Sequence, residues 1–184
     1  PSITSGLALS VVWLYLFSPD RYGFVNNLII RTGIIREPIL WTMDPDSIMP
    51  LVILISLWMS LGAGFLTNLA GLNNIPHDLY EVGAIDGVRN KFQELLYITL
   101  PQMKPYLLFN AIMSTVAALN VSDLATAIAG FPSPDYAAHT IVVHMNDYAF
   151  TRFELGYASG IAFFLFLFNF TLGRIFMKLL ASDD

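Results

Sequence analysis

Charged side chains are absent from four long stretches of this chain: residues 1–19, 47–76, 105–122 and 155–173 contain no Asp, Glu, Lys or Arg. A charge near the middle of a bilayer costs roughly 2.5 to 3.5 kcal/mol on insertion scales, so these gaps mark membrane spans better than a count of apolar residues does. A helix of about 20 residues crosses the hydrocarbon core, which is about 30 Å thick. The pattern therefore predicts an all-α integral membrane protein with four transmembrane helices, over about 2–18, 48–72, 105–126 and 155–175. Polar connections from about Asp20 to Asp46, His77 to Lys104 and Gly130 to Glu154 join them. The first stretch begins at Pro1 without a charged flank, so the chain reads as a fragment rather than a natural start.

Composition sharpens this. Of 184 residues, 55% are hydrophobic and 12% charged, against about a quarter charged in an average soluble domain. That excludes disorder and argues against a soluble single-core globule of this length. The absence of cysteine removes disulfides, thiolate zinc sites and Cys nucleophiles. The net charge of -5 is spread along the chain, with no run that marks a nucleic-acid surface. Lys and Arg divide five to four between the two sides and do not orient the protein; Arg174 and Lys178, one turn apart after the last span, favour a cytoplasmic C-terminus.

The connection PHDLYEVGAIDGVRNKFQELLYITLP, residues 76–101, carries the most chemistry. Pro76, Asp78 and Glu81 suit the positive end of a short helix. Leu79, Val82 and Ile85 share one face of it, Asp86-Gly87 supplies a turn in which Gly is free to take positive φ, and Phe92, Leu95 and Leu96 form a second apolar face. Two short amphipathic helices meeting at Gly87 are predicted, with Pro101 and Pro105 bracketing the start of the next span. On physical grounds alone, such a pair could simply lie in the membrane interface.

Glu81, Gly87 and Ile98-x-Leu100-Pro101, with Ala84-Ile85-Asp86 and Thr99 beside them, resemble the coupling-loop motif of the membrane subunits of binding-protein-dependent ABC importers. The resemblance extends over nearly the whole chain and is to the sugar-permease branch, of the maltose or glycerol-phosphate type. Trp13 to Phe17 with Ser18-Pro19-Asp20, Gly23 and Asn26 is similar to a helix end and external loop of that branch. So are Leu69-Ala70-Gly71-Leu72 with Ile75-Pro76, and Gly156-Tyr157-Ala158-Ser159. Val82 and Gly83 stand where two alanines are usual, and one extra residue separates Gly87 from Ile98. The resemblance implies a type I importer core of six helices, of which these spans are the last four, in a bacterial-type plasma membrane. It implies that the connection docks as a coupling-helix pair into a cytoplasmic ATPase subunit, through Glu81, Asp86, Gly87, Arg89, Lys91, Ile98, Leu100 and Pro101. Further implied partners are a second permease subunit and an extracytoplasmic solute-binding protein. The chain itself is implied to be no enzyme and to bind no cofactor, with ATP and magnesium on the partner ATPase.

Two stripes recur every four residues: Ser56, Ser60, Gly64 and Asn68, then Asn110, Ser114, Ala118 and Ser122. Small residues let helices approach closely in lipid, while hydroxyls and amides around a cavity suit a neutral sugar. Gly156 and Gly160 fit the first role. The resemblance to maltose-type permeases points to Ser56, Ser60, Ser114 and Ala118 on the substrate path, with Met59 and Val121 as apolar walls. Asp123 belongs near the far interface, as a helix-end residue or a cavity residue. Asn169 is expected to bond a neighbouring helix. His139 and His144, five apart, and His77 do not suggest a shared metal site. The aromatic stretch from His144 to Phe153 resembles the external segment that meets the binding protein, and also suits an interfacial belt. The competing function is an ion-coupled secondary transporter, disfavoured by the lack of ionisable relays within the spans.

Overall fold

A computed structural model describes residues 6–119 and 121–180. The described residues contain helices and turns and no strand. Nine α-helices among them are α1 (Gly6–Leu16), α2 (Phe24–Arg31), α3 (Pro45–Asn73), α4 (Asp78–Ile85), α5 (Lys91–Glu94), α6 (Leu100–Leu119), α7 (Asp123–Ala129), α8 (Ile141–Asn146) and α9 (Leu155–Leu180). Of these, α3 and α9 are each long and apolar enough to cross a membrane. The pair Lys91–Leu119 and Asp123–Ala129 makes a third if it is counted as one span. The first expected span is represented by the 11 residues of α1, about 16 Å of helix; its residues 1–5 lie outside the described residues.

The charge-free gaps place α3 and α9 well, because lipid accepts only apolar helix surface. On α9 the aromatic residues Phe163, Phe166 and Phe170 are exposed, as a lipid-facing surface requires. The third gap is read less well. A π turn over Leu95–Thr99 joins α5 to α6, so one continuous helical rod runs from Lys91 to Leu119 and holds Pro105 in its interior. The expected second short helix is thus continuous with the helix that follows it. At the other end the rod stops at Leu119, and α7 begins afresh at Asp123, short of the single helix expected to 126.

The described residues fall into two compact units, one drawn from Pro1–Leu61 and Ala117–Phe164, the other from Gly62–Val116 and Leu165–Asp184. The first is centred on Ile48, Leu51, Val52 and Ile55 of α3, spaced on one helix face, with Phe17, Ala125, Ile128 and Val143 packed against them. Its loop between α1 and α3 is organised by Asn26, which is fully buried. The Asn26 amide donates to the carbonyls of Ser18 (3.1 Å), Asp20 (3.1 Å) and Ile39 (3.0 Å), and its oxygen accepts from the Ile39 amide (3.1 Å) and the Trp41 indole (2.9 Å). Close by, the Ser18 hydroxyl and the amides of Tyr22 and Gly23 donate to Asp20 and hold its carboxyl below the usual carboxylate range.

Candidate functional site

The connection between α3 and the Lys91–Leu119 rod lies within the second unit. Helix α4 ends in a Schellman arrangement: the Val88 amide donates to the Gly83 carbonyl at 3.0 Å, the Gly87 amide to that of Ala84 at 3.4 Å, and Gly87 has φ +98°. A side chain at position 87 would be strained by this backbone, whatever the space around it. The chain then turns through Asn90, whose side chain caps α5 by accepting the Gln93 amide at 2.8 Å, while Gln93 Oε1 accepts the Arg89 amide at 2.9 Å.

Two contacts fix α4 against the rod. The Tyr80 and Thr99 hydroxyls share a hydrogen bond of 2.9 Å. Ile98 covers Gly83 so closely that its Cδ1 occupies the space a Cβ there would take. Further along, Asn74 donates to the Tyr106 hydroxyl at 2.9 Å and Asn110 to the Asn68 carboxamide at 2.8 Å. These bonds tie α3 and the residue that follows it to α6, and the ring of Tyr106 lies flush on Gly71. The polar stripes named Asn68 and Asn110 but did not show that they meet; Tyr80, Thr99 and Tyr106 were missed.

What remains outward on this element is chemically mixed. Ile85, Phe92 and Tyr97 are exposed, as are Glu81, Asp86, Gly87, Arg89 and Lys91. Lys91 pairs with Glu94 at 2.9 Å, and His77 with Glu81 at 3.8 Å, both weak at such exposure. The guanidinium of Arg89 has no ion pair among the described residues. A shallow cleft of about 440 Å³ lies between His77, Tyr80, Glu81, Ala84, Lys91 and Glu94. Ile98 is half-buried, while Leu100 and Pro101 in the first turn of α6 are exposed.

The residues proposed for a substrate path are divided between the two units. In the first unit, Ser56 and Met59 are half-buried and Ser60 is exposed. The hydroxyls of Ser56 and Ser60 donate to the carbonyls of Val52 and Leu57 of their own helix, each at 2.7 Å. Ala118 is exposed, Val121 packs against the core and takes the Thr140 hydroxyl on its carbonyl at 3.0 Å, and Asp123 is exposed at the start of α7. Ser114, in the second unit, is exposed. Asn169 bonds the Leu165 carbonyl of its own helix at 3.0 Å rather than a neighbouring helix, and its buried oxygen has no partner among the described residues.

The connection before α9 forms a chain of rings. His139 stacks on Phe131 and meets His144 edge-on at 5.3 Å between centroids, and His144 contacts Tyr148 and Tyr157. Arg152 lies over Tyr148 at 4.4 Å and bonds the buried Asp147 at 2.9 Å. Burial, with the neighbouring His144, pushes the His139 imidazole below its ordinary value. Among the described residues no group of three His, Asp or Glu side chains converges as a metal site would require.

Comparison with known proteins adds the following. The family model for the binding-protein-dependent transport system inner membrane component matches residues 1–182. The probable ABC transporter permease protein YesP of Bacillus subtilis (strain 168) is 35% identical over 164 residues, 88% of this chain and 52% of that protein. The lactose transport system permease protein LacF of Rhizobium radiobacter is 32% identical, over 91% of this chain and 56% of that protein. The arabinooligosaccharides transport system permease protein AraP of Bacillus subtilis (strain 168) is 26% identical, over 99% and 57%. The chain thus spans about half the length of the curated relatives it matches. A crystal structure of a bacterial ABC transporter involved in the import of the acidic polysaccharide alginate has the same fold, with a TM-score of 0.78 at 19% identity over 95% of this chain and 60% of that one.

Proposed function

The chain belongs to the family of binding-protein-dependent transport system inner membrane components, and from that premise we propose that it is part of the permease subunit of an ATP-driven importer for a sugar or oligosaccharide. The names of the relatives LacF and AraP support the saccharide. In this reading the protein is a multi-pass component of a bacterial-type plasma membrane with a cytoplasmic C-terminus. The four spans close a six-helix core, a binding protein delivers the solute from outside, and a second permease subunit completes the path. ATP is hydrolysed on a separate subunit, and this chain performs no chemistry.

The observation that carries the reading is the coupling loop, residues 76–101. It presents Ile85, Arg89 and Phe92 outward while Gly83 on Ile98 and Tyr80 on Thr99 lock it to the helix that follows. Pushed by a moving cleft, such an element passes displacement into α6 without unfolding. Glu81, Asp86, Gly87, Lys91, Leu100 and Pro101 complete the contact set. Ser56, Met59, Ser60, Ser114, Ala118, Val121 and Asp123 stand as the proposed substrate path. No observation favours the ion-coupled transporter.

The test is copurification of the native full-length subunit with the ATPase subunits of its cell, wild type against Gly87→Val. The proposal expects an ATPase with wild type and its loss with Gly87→Val in normally inserted protein. Wild type that retains no ATPase overturns it.

A further inference from the structure

Helix α2 is apolar on both sides: Val25 packs against the core on the side that holds Asn26, yet large apolar side chains also face outward. Asn26 is fully buried on the face toward the loop it organises, and the opposite stripe, Phe24, Leu28 and Arg31, is exposed. Phe24 and Leu28 are each 58% exposed, and the flanking Tyr22 and Ile34 are 88% and 76% exposed. Water would select polar side chains at these positions. Arg31 belongs to this stripe and Arg21 and Arg36 flank it in sequence, and none of the three makes an ion pair among the described residues. Among the acids close in sequence, Asp20 accepts from Ser18 and two amides and Asp44 from the Ser47 hydroxyl at 2.7 Å, while Glu37 is exposed.

The position of α2 supplies the occupant. The bonds from Asn26 to Ile39 and Trp41 hold it against the segment that leads into α3, the helix long and apolar enough to cross a membrane. A helix end of that kind lies at the water–lipid boundary, where Trp is enriched. We propose that α2 is an interfacial anchor: Phe24 and Leu28 insert among acyl chains, while Arg21, Arg31 and Arg36 bind the headgroups of anionic phospholipid. Arginine suits this arrangement, because its stem lies along apolar surface while its guanidinium holds phosphate through paired bonds. The inference needs α3 to span the membrane and is independent of any ATPase contact.

The test places a nitroxide at Leu28→Cys and, one turn earlier, at Phe24→Cys, in an otherwise cysteine-free, full-length importer. The protein is reconstituted in phosphatidylcholine vesicles with and without equimolar phosphatidylglycerol. Both labels should be relaxed by oxygen and protected from a water-soluble nickel chelate, with deeper protection when phosphatidylglycerol is present. The triple substitution Arg21→Gln, Arg31→Gln, Arg36→Gln should remove the lipid difference. Access of the chelate to both labels, exclusion of both agents by a covering protein, or equal readings in the two lipids would each overturn the proposal.

Discussion

The ring of Tyr106 lies against Gly71 so closely that a Cβ there would stand 2.7 Å from Cγ and 2.9 Å from the sulfur of Met103. At Gly83 the obstructing atom is instead the far end of a flexible side chain, Cδ1 of Ile98. Gly71→Ala should therefore destabilise by up to about 2 kcal/mol, since overpacking costs about 1–3 and the gain in helix propensity returns about 1. Gly83→Ala should be close to neutral, because a rotamer change at Ile98 relieves the clash. Thermal unfolding of the two variants in detergent checks the contrast, and equal losses would contradict it.

Removing the side chain of Asn26 strands the Trp41 indole N–H and the backbone groups of Ser18, Asp20 and Ile39. Each buried orphan costs about 1–3 kcal/mol. Asn26→Ala should destabilise by about 3 kcal/mol or more and open residues 18–41 to limited proteolysis. Asn26→Asp keeps the acceptor and loses the donor, so it should also fail, which distinguishes a hydrogen-bond role from mere volume.

Asp147 is buried while its partner Arg152 is half-exposed. Arg152→Gln leaves a carboxylate without its charge partner and should cost about 2 kcal/mol, whereas Arg152→Gln combined with Asp147→Asn should recover part of that loss. A double-mutant cycle on unfolding temperature reads the coupling, and strict additivity would argue against it.

His139 sits among His144, Asp147 and Arg152, and its pKa is lowered first by burial and then by His144, with Asp147 opposing. Protonation therefore favours the unfolded segment. Its stabilisation is complete above the ordinary histidine value of about 6.5 and falls as pH drops through the lowered pKa of the folded form. Protection factors of the amides across residues 131–152, each normalised to the intrinsic exchange rate at its pH, should fall on acidification, and His139→Gln should flatten that pH dependence. A profile unchanged by the substitution would contradict this.

Charge gaps made α3 and α9 legible because lipid imposes one strong rule on their surfaces. The turn at Gly87 was legible for a comparable reason: its φ of +98° is one that glycine adopts without penalty. The start of the third helix was not, because two prolines were read as a boundary. Asn90 with Gln93 three residues later was the capping signature that marked the real start. Helix–helix pairs such as Asn68 with Asn110 were out of reach, since a four-residue stripe fixes a face and not the height at which two helices meet.

The π turn at Leu95–Thr99 has a bearing on chain length. Such a turn houses one residue more than an α-helix needs for the same advance. Deleting a single residue there converts it to regular helix and leaves Leu100 and everything after it on their present faces. The same deletion two turns later would rotate every following side chain by about 100°. Length changes in relatives of this chain should therefore be tolerated at Leu95–Thr99 and rejected further into α6.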